Sequence, residues 1–356
     1  MVEVAGGKDT YVRLREFLDT MPGGFPATDS GVEMKILKKL FTPEDANIVL
    51  RMTRELETAE TIAKRCGMET AEMEEKLESM KDRGLIFKSM EGDKVLYRAE
   101  QYVVGIYEFQ LGSMDKEFAE LMEEYFPYLG MALFANKTKQ MRVVPVGAAI
   151  ETIPSVASYE RVRDLVREQE TIAVANCICR EQKRLLGNEC GRPFEGCMSF
   201  ASFAELALES GMGRKIGVEE ALQVLDRSEE AGLVLQPNNA QQIEFVCSCC
   251  SCCCPTLSGL KQFPNPADFI QSSFHAQKDL DKCTECEVCL ERCPMDAITK
   301  GEEAMEVNLA RCIGCGVCIP TCPQEAISLV PKGDVVVPPL NTEEMRNTIL
   351  VERGLA

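Results

Sequence analysis

The chain has 356 residues, of which 45% are hydrophobic and 27% charged, so it is long enough for two or three globular domains. Its net charge of −18 disfavours nucleic acid, whose phosphates attract basic surfaces, and is compatible with a basic protein partner. With no apolar run near the roughly 18 residues that cross a bilayer and no secretion signal, we predict a cytoplasmic protein without a transmembrane segment.

Three helices and a hairpin are predicted between residues 43 and 100. The first helix begins at Thr42-Pro43, the second ends at Gly67, and the third covers 70–83. Two short apolar runs around a Glu-Gly-Asp turn form the hairpin over 85–97. This order of elements resembles a winged helix, and the resemblance implies DNA binding through the third helix.

The charge of the third helix argues against DNA binding. From Glu69 to Arg83 there are six acidic residues and three basic ones, so phosphates in a major groove would repel this helix. We therefore predict that residues 1–105 form a winged-helix-like module with a protein-docking or structural role.

Residues 106–275 alternate between helical and extended patterns and are predicted to form an α/β cysteine-rich domain. Helices are expected over 115–125, 159–168, 200–209 and 218–230, and a strand over 171–175 leads into the first cysteine motif.

Nineteen cysteines dominate the composition, and eighteen of them follow residue 176. Their tight clusters and the lack of a secretion signal favour metal binding over disulfides, because thiolates bind soft and borderline metals. The remaining one, Cys66, lies in an apolar helical stretch and is predicted to be a buried core thiol.

The first central motif consists of Cys177, Cys179, Cys190 and Cys197. If Cys177 and Cys179 continue the strand, they face the same side, and a loop brings back the other two to complete four thiolates. Four thiolates fit either a [4Fe-4S] cluster or zinc. The adjacent Arg180 either neutralises an anionic cluster or is a surface cation.

The second central motif contains more thiols than one four-ligand site requires: Cys247, Cys249, Cys250, Cys252, Cys253 and Cys254. Neighbouring residues of an extended chain point in opposite directions, so these six cannot all face one cluster. They either supply two clusters, one completed by part of the first motif, or include spare thiols or an unusual cluster. A single structural zinc with surplus cysteines is the third interpretation.

A repeat of four cysteines and a proline lies near the C-terminus. It runs from Cys283 to Pro294 and again from Cys312 to Pro323, with three cysteines at intervals of three and a fourth four residues later. Three thiolates on one tight loop reach three irons of a cube, and the fourth ligand comes from elsewhere. This spacing closely resembles bacterial two-[4Fe-4S] ferredoxins, and paired zinc knuckles do not need the third cysteine.

The resemblance implies crossed ligation, in which the fourth cysteine of each run binds the other cluster. One [4Fe-4S] cluster then takes Cys283, Cys286, Cys289 and Cys322, and the other takes Cys312, Cys315, Cys318 and Cys293. Gly314 and Gly316 let backbone N–H groups approach the sulfides. Eight acidic residues against three basic ones over 283–330 favour a low reduction potential, with midpoints below about 0 mV.

The predicted fold is α+β and multi-domain: residues 1–105 as above, 106–275 as the cysteine-rich domain, 276–332 as a ferredoxin-like dicluster domain and 333–356 as a docking tail. The whole chain resembles multi-domain iron–sulfur proteins of strict anaerobes. That resemblance implies a low-potential electron-transfer protein or subunit that relays single electrons between redox enzymes, in a larger oxidoreductase complex. Two alternatives are an oxidoreductase with an unusual central cluster and a cluster-based redox-sensing regulator.

Overall fold

A computed structural model describes residues 9–150, 156–301, 305–333 and 336–356. Its N-terminal part is mainly helical, with one hairpin. The elements are α1 (Thr10–Asp19), α2 (Val32–Leu40), α3 (Pro43–Val49), α4 (Ala59–Cys66), α5 (Thr70–Asp82), β1 (Ile86–Glu91), β2 (Lys94–Ala99) and α6 (Lys116–Ala135).

The predicted helix boundaries and hairpin of this part are confirmed. Thr42 and Asp45 form a capping box at the start of α3, so each side chain satisfies a backbone N–H that has no helical partner. Gly67 ends α4 in the left-handed region at φ 69°, which glycine adopts without steric cost. Strands β1 and β2 pair antiparallel, with Glu91 opposite Lys94.

Helix α6 ends ten residues beyond the predicted end at residue 125 and continues through Pro127. Its apolar face completes the N-terminal core, where Tyr125 packs against Phe25 with ring centroids 4.9 Å apart. Phe118, Met122, Tyr125 and Leu129 of α6 therefore belong to the same buried core as helices α1 to α5.

The middle of the chain is built on a five-stranded antiparallel sheet in the order β5-β3-β4-β7-β6. Helices α8 and α11 cover one face of it through a core of aliphatic side chains. The elements are α7 (Gly147–Ile150), α8 (Val162–Arg167), β3 (Ile172–Asn176), α9 (Ile178–Leu185), β4 (Glu195–Phe200), α10 (Ala201–Glu209), β5 (Gly213–Ile216), α11 (Val218–Glu230), β6 (Val234–Pro237), β7 (Phe245–Cys249) and α12 (Pro255–Lys261).

The C-terminal part contains two small antiparallel pairs, β8 with β11 and β9 with β10. Strand β8 precedes the cysteine repeat and β11 follows it, so their pairing closes the repeat into one unit. The elements are β8 (Phe274–Lys278), α13 (Val288–Arg292), β9 (Ile298–Lys300), β10 (Met305–Val307), β11 (Ile327–Pro331) and α14 (Thr342–Glu352).

The C-terminal helix α14 lies on the body of the protein. Arg346 donates to the buried Glu100 carboxylate at 2.9 Å, and Arg353 donates to the Asp19 carbonyl at 2.9 Å. Ile349 and Leu350 are buried in the same contact. The last helix therefore fastens the chain end to the N-terminal unit.

The hairpin and α5 contact the middle sheet unit. The rings of Phe87 and Phe203 have centroids 5.1 Å apart, and Lys88 pairs with Glu209 at 3.2 Å. Within the described part of the chain, no helix is long and apolar enough to cross a membrane.

Candidate metal centres

The first ferredoxin-type set forms a site near the surface. Its four cysteines, Cys283, Cys286, Cys289 and Cys322, line one cavity of about 290 Å³. Cys286 is exposed, Cys283 and Cys322 are half-buried, and Cys289 is buried. We call this the outer site.

The second ferredoxin-type set forms a site inside the protein. Cys293, Cys312, Cys315 and Cys318 line a separate cavity of about 350 Å³. Three of these thiols are buried and Cys293 is half-buried. In this inner site, as in the outer one, the lining combines three cysteines of one run with the fourth of the other, the combination that the ferredoxin resemblance implies.

Backbone conformation at equivalent positions gives the two loops the same shape. Glu285 and Glu287 have φ of 54° and 63°, and the equivalent Gly314 and Gly316 have 68° and 72°. The inner loop needs glycine because a β-carbon on Gly314 would lie 2.1 Å from the Phe274 carbonyl oxygen. The outer loop has glutamates at the same backbone conformation, of which Glu287 is exposed and Glu285 is half-buried.

Backbone N–H groups point at the sulfurs in equivalent places of both runs. Ala297 N–H donates to Cys293 Sγ at 3.2 Å, and Ala326 N–H donates to Cys322 Sγ at 3.3 Å. Such hydrogen bonds stabilise the thiolate form and raise the potential of a bound cluster. The four-thiol cavities and these donors fit [4Fe-4S] clusters.

The inner and outer sites differ in the acidity of their thiols, because the inner site is more deeply buried. Desolvation raises the pKa of Cys315, because a thiolate loses its hydration inside the protein. At the outer site the Met305 backbone N–H, with a contribution from Lys278, lowers the pKa of Cys283. The inner thiolates therefore depend more strongly on a bound metal for their charge.

The ten central cysteines divide into a group of six and a group of four. The six-cysteine site contains Cys177, Cys179, Cys197, Cys247, Cys249 and Cys254. The last four are linked by thiol contacts, from Cys197 to Cys247 to Cys249 to Cys254, and Cys177 and Cys179 form a contacting pair whose charge interacts with Cys249 and Cys254. The four-cysteine site contains Cys190, Cys250, Cys252 and Cys253. The expectation that Cys190 joins Cys177, Cys179 and Cys197 is therefore wrong.

Four elements, β4, β7, α9 and α12, bring the six-cysteine site together. Cys197 on β4 and Cys247 on β7 are directly opposite in the sheet, and Cys249 follows two residues later on the same face. Cys254 caps α12. The expectation that Cys177 and Cys179 share a strand face is wrong, because β3 ends at Asn176 and Cys177 caps α9. A helical first turn still leaves these two thiols in contact.

Arg180 is a buried cation between the two central sites. Its side chain is 3% exposed, and its Nη2 donates to the Ser248 carbonyl at 2.8 Å. Its positive charge interacts electrostatically with Cys177 and Cys249 of the six-cysteine site and with Cys250 of the four-cysteine site. Nε and Nη1 have no hydrogen-bond partner within the described residues. Two orphaned buried donors beside clustered thiols fit anionic metal–thiolate centres.

Burial and neighbouring groups give the central thiols very different acidities. Contact with Cys253, together with Cys252 and Arg180, lowers the pKa of Cys250 to about 4. Contact with Cys197 and Cys249 and burial raise the pKa of Cys247.

All nineteen cysteines lie in the described ranges, and none of them is in a disulfide. Cys66 is half-buried and packs against the N-terminal core, so it belongs to none of the four sites.

An apolar cavity without a marker in the sequence lies beside the six-cysteine site. Its lining includes Phe134, Ile270, Lys139, Gln140 and Gln236. Gln236 is fully buried, and neither polar atom of its side chain has a hydrogen-bond partner in the described structure. Its amide is near enough to Cys249 to help lower the pKa of that thiol.

A family model described as "4Fe-4S dicluster domain" matches residues 275–323. This stretch contains all eight cysteines of the outer and inner sites, so the C-terminal unit is similar to that family. Comparison with curated proteins gave no match, and comparison with solved structures gave none either.

Proposed function

We propose that this chain is a low-potential iron–sulfur protein or subunit that passes single electrons between redox enzymes of anaerobic metabolism. The observation that carries the proposal is the pair of four-cysteine cavities, one at the surface and one in the interior. Bound at these sites, [4Fe-4S] clusters supply reversible one-electron chemistry. A reducing compartment such as the cytoplasm keeps the nineteen thiols available for metal.

Shared hydrophobic cores connect the six-cysteine site to the inner site, and the inner site to the outer site at the surface. Cys249 and Cys254 of the six-cysteine site share one hydrophobic core with Cys315 of the inner site. Cys293 and Cys289 share the next core with Cys318, which joins the inner and outer sites. These shared hydrophobic cores support close spacing of three redox centres.

The surface around the outer site supports docking of a basic redox partner. Leu280 is 61% exposed and Val288 is 40% exposed beside the exposed Cys286. Glu285 and Glu287 flank that cysteine in the same loop, and the whole chain carries a net charge of −18. An exposed apolar patch surrounded by acidic groups suits transient docking of a basic protein, because attraction between opposite charges accelerates association.

The N-terminal module gives little support to the regulator alternative. The three basic residues of its third helix segment are all paired: Lys76 with Glu44, Lys81 with Asp82 and Arg83 with Asp45, each at 2.7 Å. No cation of this helix is then left over for phosphates. The pairing supports a structural or protein-docking role for the module.

We expect full-length protein purified without oxygen to be coloured, to bleach with dithionite and to contain roughly 12 iron atoms, from the outer, inner and six-cysteine sites. Redox titration should give midpoints below about 0 mV. Once reduced, it should reduce cytochrome c, a basic haem protein, at a rate that falls as salt increases. Stopped-flow absorbance measures that rate.

Cys286→Ser tests whether the outer site is the exit for electrons. We expect it to slow cytochrome c reduction by about tenfold or more while iron at the other sites remains. Cys66→Ser is the matched control and should behave as the unchanged protein. Colourless protein, or midpoints above about 0 mV, would rule out the proposal.

A second candidate function is a reaction at the six-cysteine site. The observation that favours it is the apolar cavity beside Cys249, with the unpartnered Gln236 amide in its wall. An apolar body with one hydrogen-bonding head group, such as an aromatic carboxamide or carboxylate, matches that lining.

Thermal melting with millimolar benzamide or benzoate tests this second function. We expect one of them to raise the melting midpoint of the unchanged protein, and Gln236→Leu to remove that shift. Gln241→Leu, on the connection that follows β6 and outside the cavity lining, should retain the effect. An equal shift in both variants, or none in the unchanged protein, rejects the cavity as a binding site.

A further inference from the structure

The four-cysteine site has the spacing that a single metal ion requires. The Sγ atoms of Cys190, Cys250, Cys252 and Cys253 all lie within 4.8 Å of one another, and those of Cys252 and Cys253 are 3.9 Å apart. Zinc binds thiolates at about 2.3 Å in a tetrahedron, and the edge of that tetrahedron is about 3.8 Å. The observed spacing is thus close to that of four sulfurs around one ion.

A [4Fe-4S] cube needs a wider arrangement. Each of its thiolates binds a different iron at a different corner, so the sulfurs lie farther apart than around one ion. The outer and inner sets, which fit cubes, allow the spacing of ligand sulfurs to be compared within one protein. Across the described ranges, the four-cysteine site is the one group of three or more potential ligand atoms found within 4.8 Å of one another.

We propose that Cys190, Cys250, Cys252 and Cys253 bind one Zn²⁺ ion in a closed tetrahedral site. All four ligands come from the protein, the arrangement of structural rather than catalytic zinc. Zinc binds such a site more tightly than ferrous iron does. Binding displaces the remaining thiol protons to solvent and transfers no electrons. The proposal stands independently of the electron-transfer function.

The position of the site indicates a structural role for the ion. Cys190 lies in the loop between α9 and β4, and the other three lie in the turn between β7 and α12. The same turn carries Cys249 and Cys254 of the six-cysteine site. One ion would therefore tie the loop to the turn and position two neighbouring ligands. Leu233 packs against Cys250 and Cys253 and shields that side, while the exposed Cys252 leaves an entry path.

Metal analysis of the full chain with a matched set of variants tests the proposal. We expect about one zinc per chain in unchanged protein, and Cys190→Ser to lose most of it while keeping its iron. Cys179→Ser, in the six-cysteine site, should lose iron and keep zinc. Cys66→Ser should change neither metal. Loss of iron instead of zinc in Cys190→Ser would overturn the assignment.

X-ray absorption at the zinc edge tests the site in unchanged protein and so does not depend on the variants folding. The expected result is four sulfur neighbours at about 2.3 Å. Nitrogen or oxygen neighbours would mean adventitious zinc and would overturn the proposal. Zinc far below one equivalent in protein that retains roughly 12 iron atoms or more would overturn it as well, and would leave the electron-transfer proposal standing.

Discussion

Replacing Gly314 by alanine is expected to abolish the inner site. The residue has φ 68°, and its new β-carbon would lie 2.1 Å from the Phe274 carbonyl oxygen and 2.5 Å from Ser272 Oγ. Phe274 begins β8, whose pairing with β11 closes the C-terminal unit, so that carbonyl has little room to move. Left-handed strain and overpacking together should cost at least ~3 kcal/mol in the free energy of unfolding.

Iron analysis and thermal melting measure the effect of Gly314→Ala. We expect roughly four fewer iron atoms per chain and a lower melting midpoint. Glu285→Ala is the matched control, because it occupies the equivalent position of the outer loop and already has a β-carbon at φ 54°. Full iron content and an unchanged midpoint in Gly314→Ala would contradict the described packing of the inner loop.

Replacing Arg180 by methionine is expected to empty the central sites. The guanidinium is buried between two groups of thiols and donates a hydrogen bond to the Ser248 carbonyl at 2.8 Å. With metal bound, removing it leaves thiolate charge uncompensated in the interior. Breaking a buried charge interaction of this kind costs about 3–5 kcal/mol.

Central metal content and the free energy of unfolding report on Arg180→Met. Arg180→Lys should be intermediate, since an ammonium keeps the charge without the planar fork that reaches both sites. Arg184→Met is the matched control: Arg184 lies on the same helix, is exposed and pairs with Glu181, so its loss should change neither the metal content nor the stability measurably. Equal behaviour of Arg180→Met and Arg184→Met would show that the buried charge has no role in metal binding.

Local elements were predictable wherever a short-range signal decides the conformation. Thr42 with Pro43 and the glycine at 67 mark helix ends because their preferences act within a few residues, and both predictions are confirmed. The end of α6 was not predictable in this way. Pro127 normally ends a helix, and here burial of Leu129 against the N-terminal core keeps the helix intact.

The grouping of the central cysteines into sites could be predicted only in part from local sequence. The sequence indicated that six closely spaced thiols cannot all face one cluster, because neighbouring side chains diverge, and it left two clusters, spare thiols and a single zinc as alternatives. It did not indicate that Cys190 belongs with Cys250, since that contact depends on how a loop returns to a turn sixty residues later. The bend after Asn176, which places Cys177 on a helix, has no short-range marker either.

By itself the sequence determined the dicluster unit, because the spacing of its cysteines is set by the size of the cluster and repeats within one short stretch. It also determined the abundance of thiols in the middle and the acidic character of the chain. Only the tertiary structure decided how ten central thiols divide into six and four, and that Arg180 lies buried between them. Those arrangements arise from strands and loops far apart in the chain, whose meeting depends on packing of the whole core.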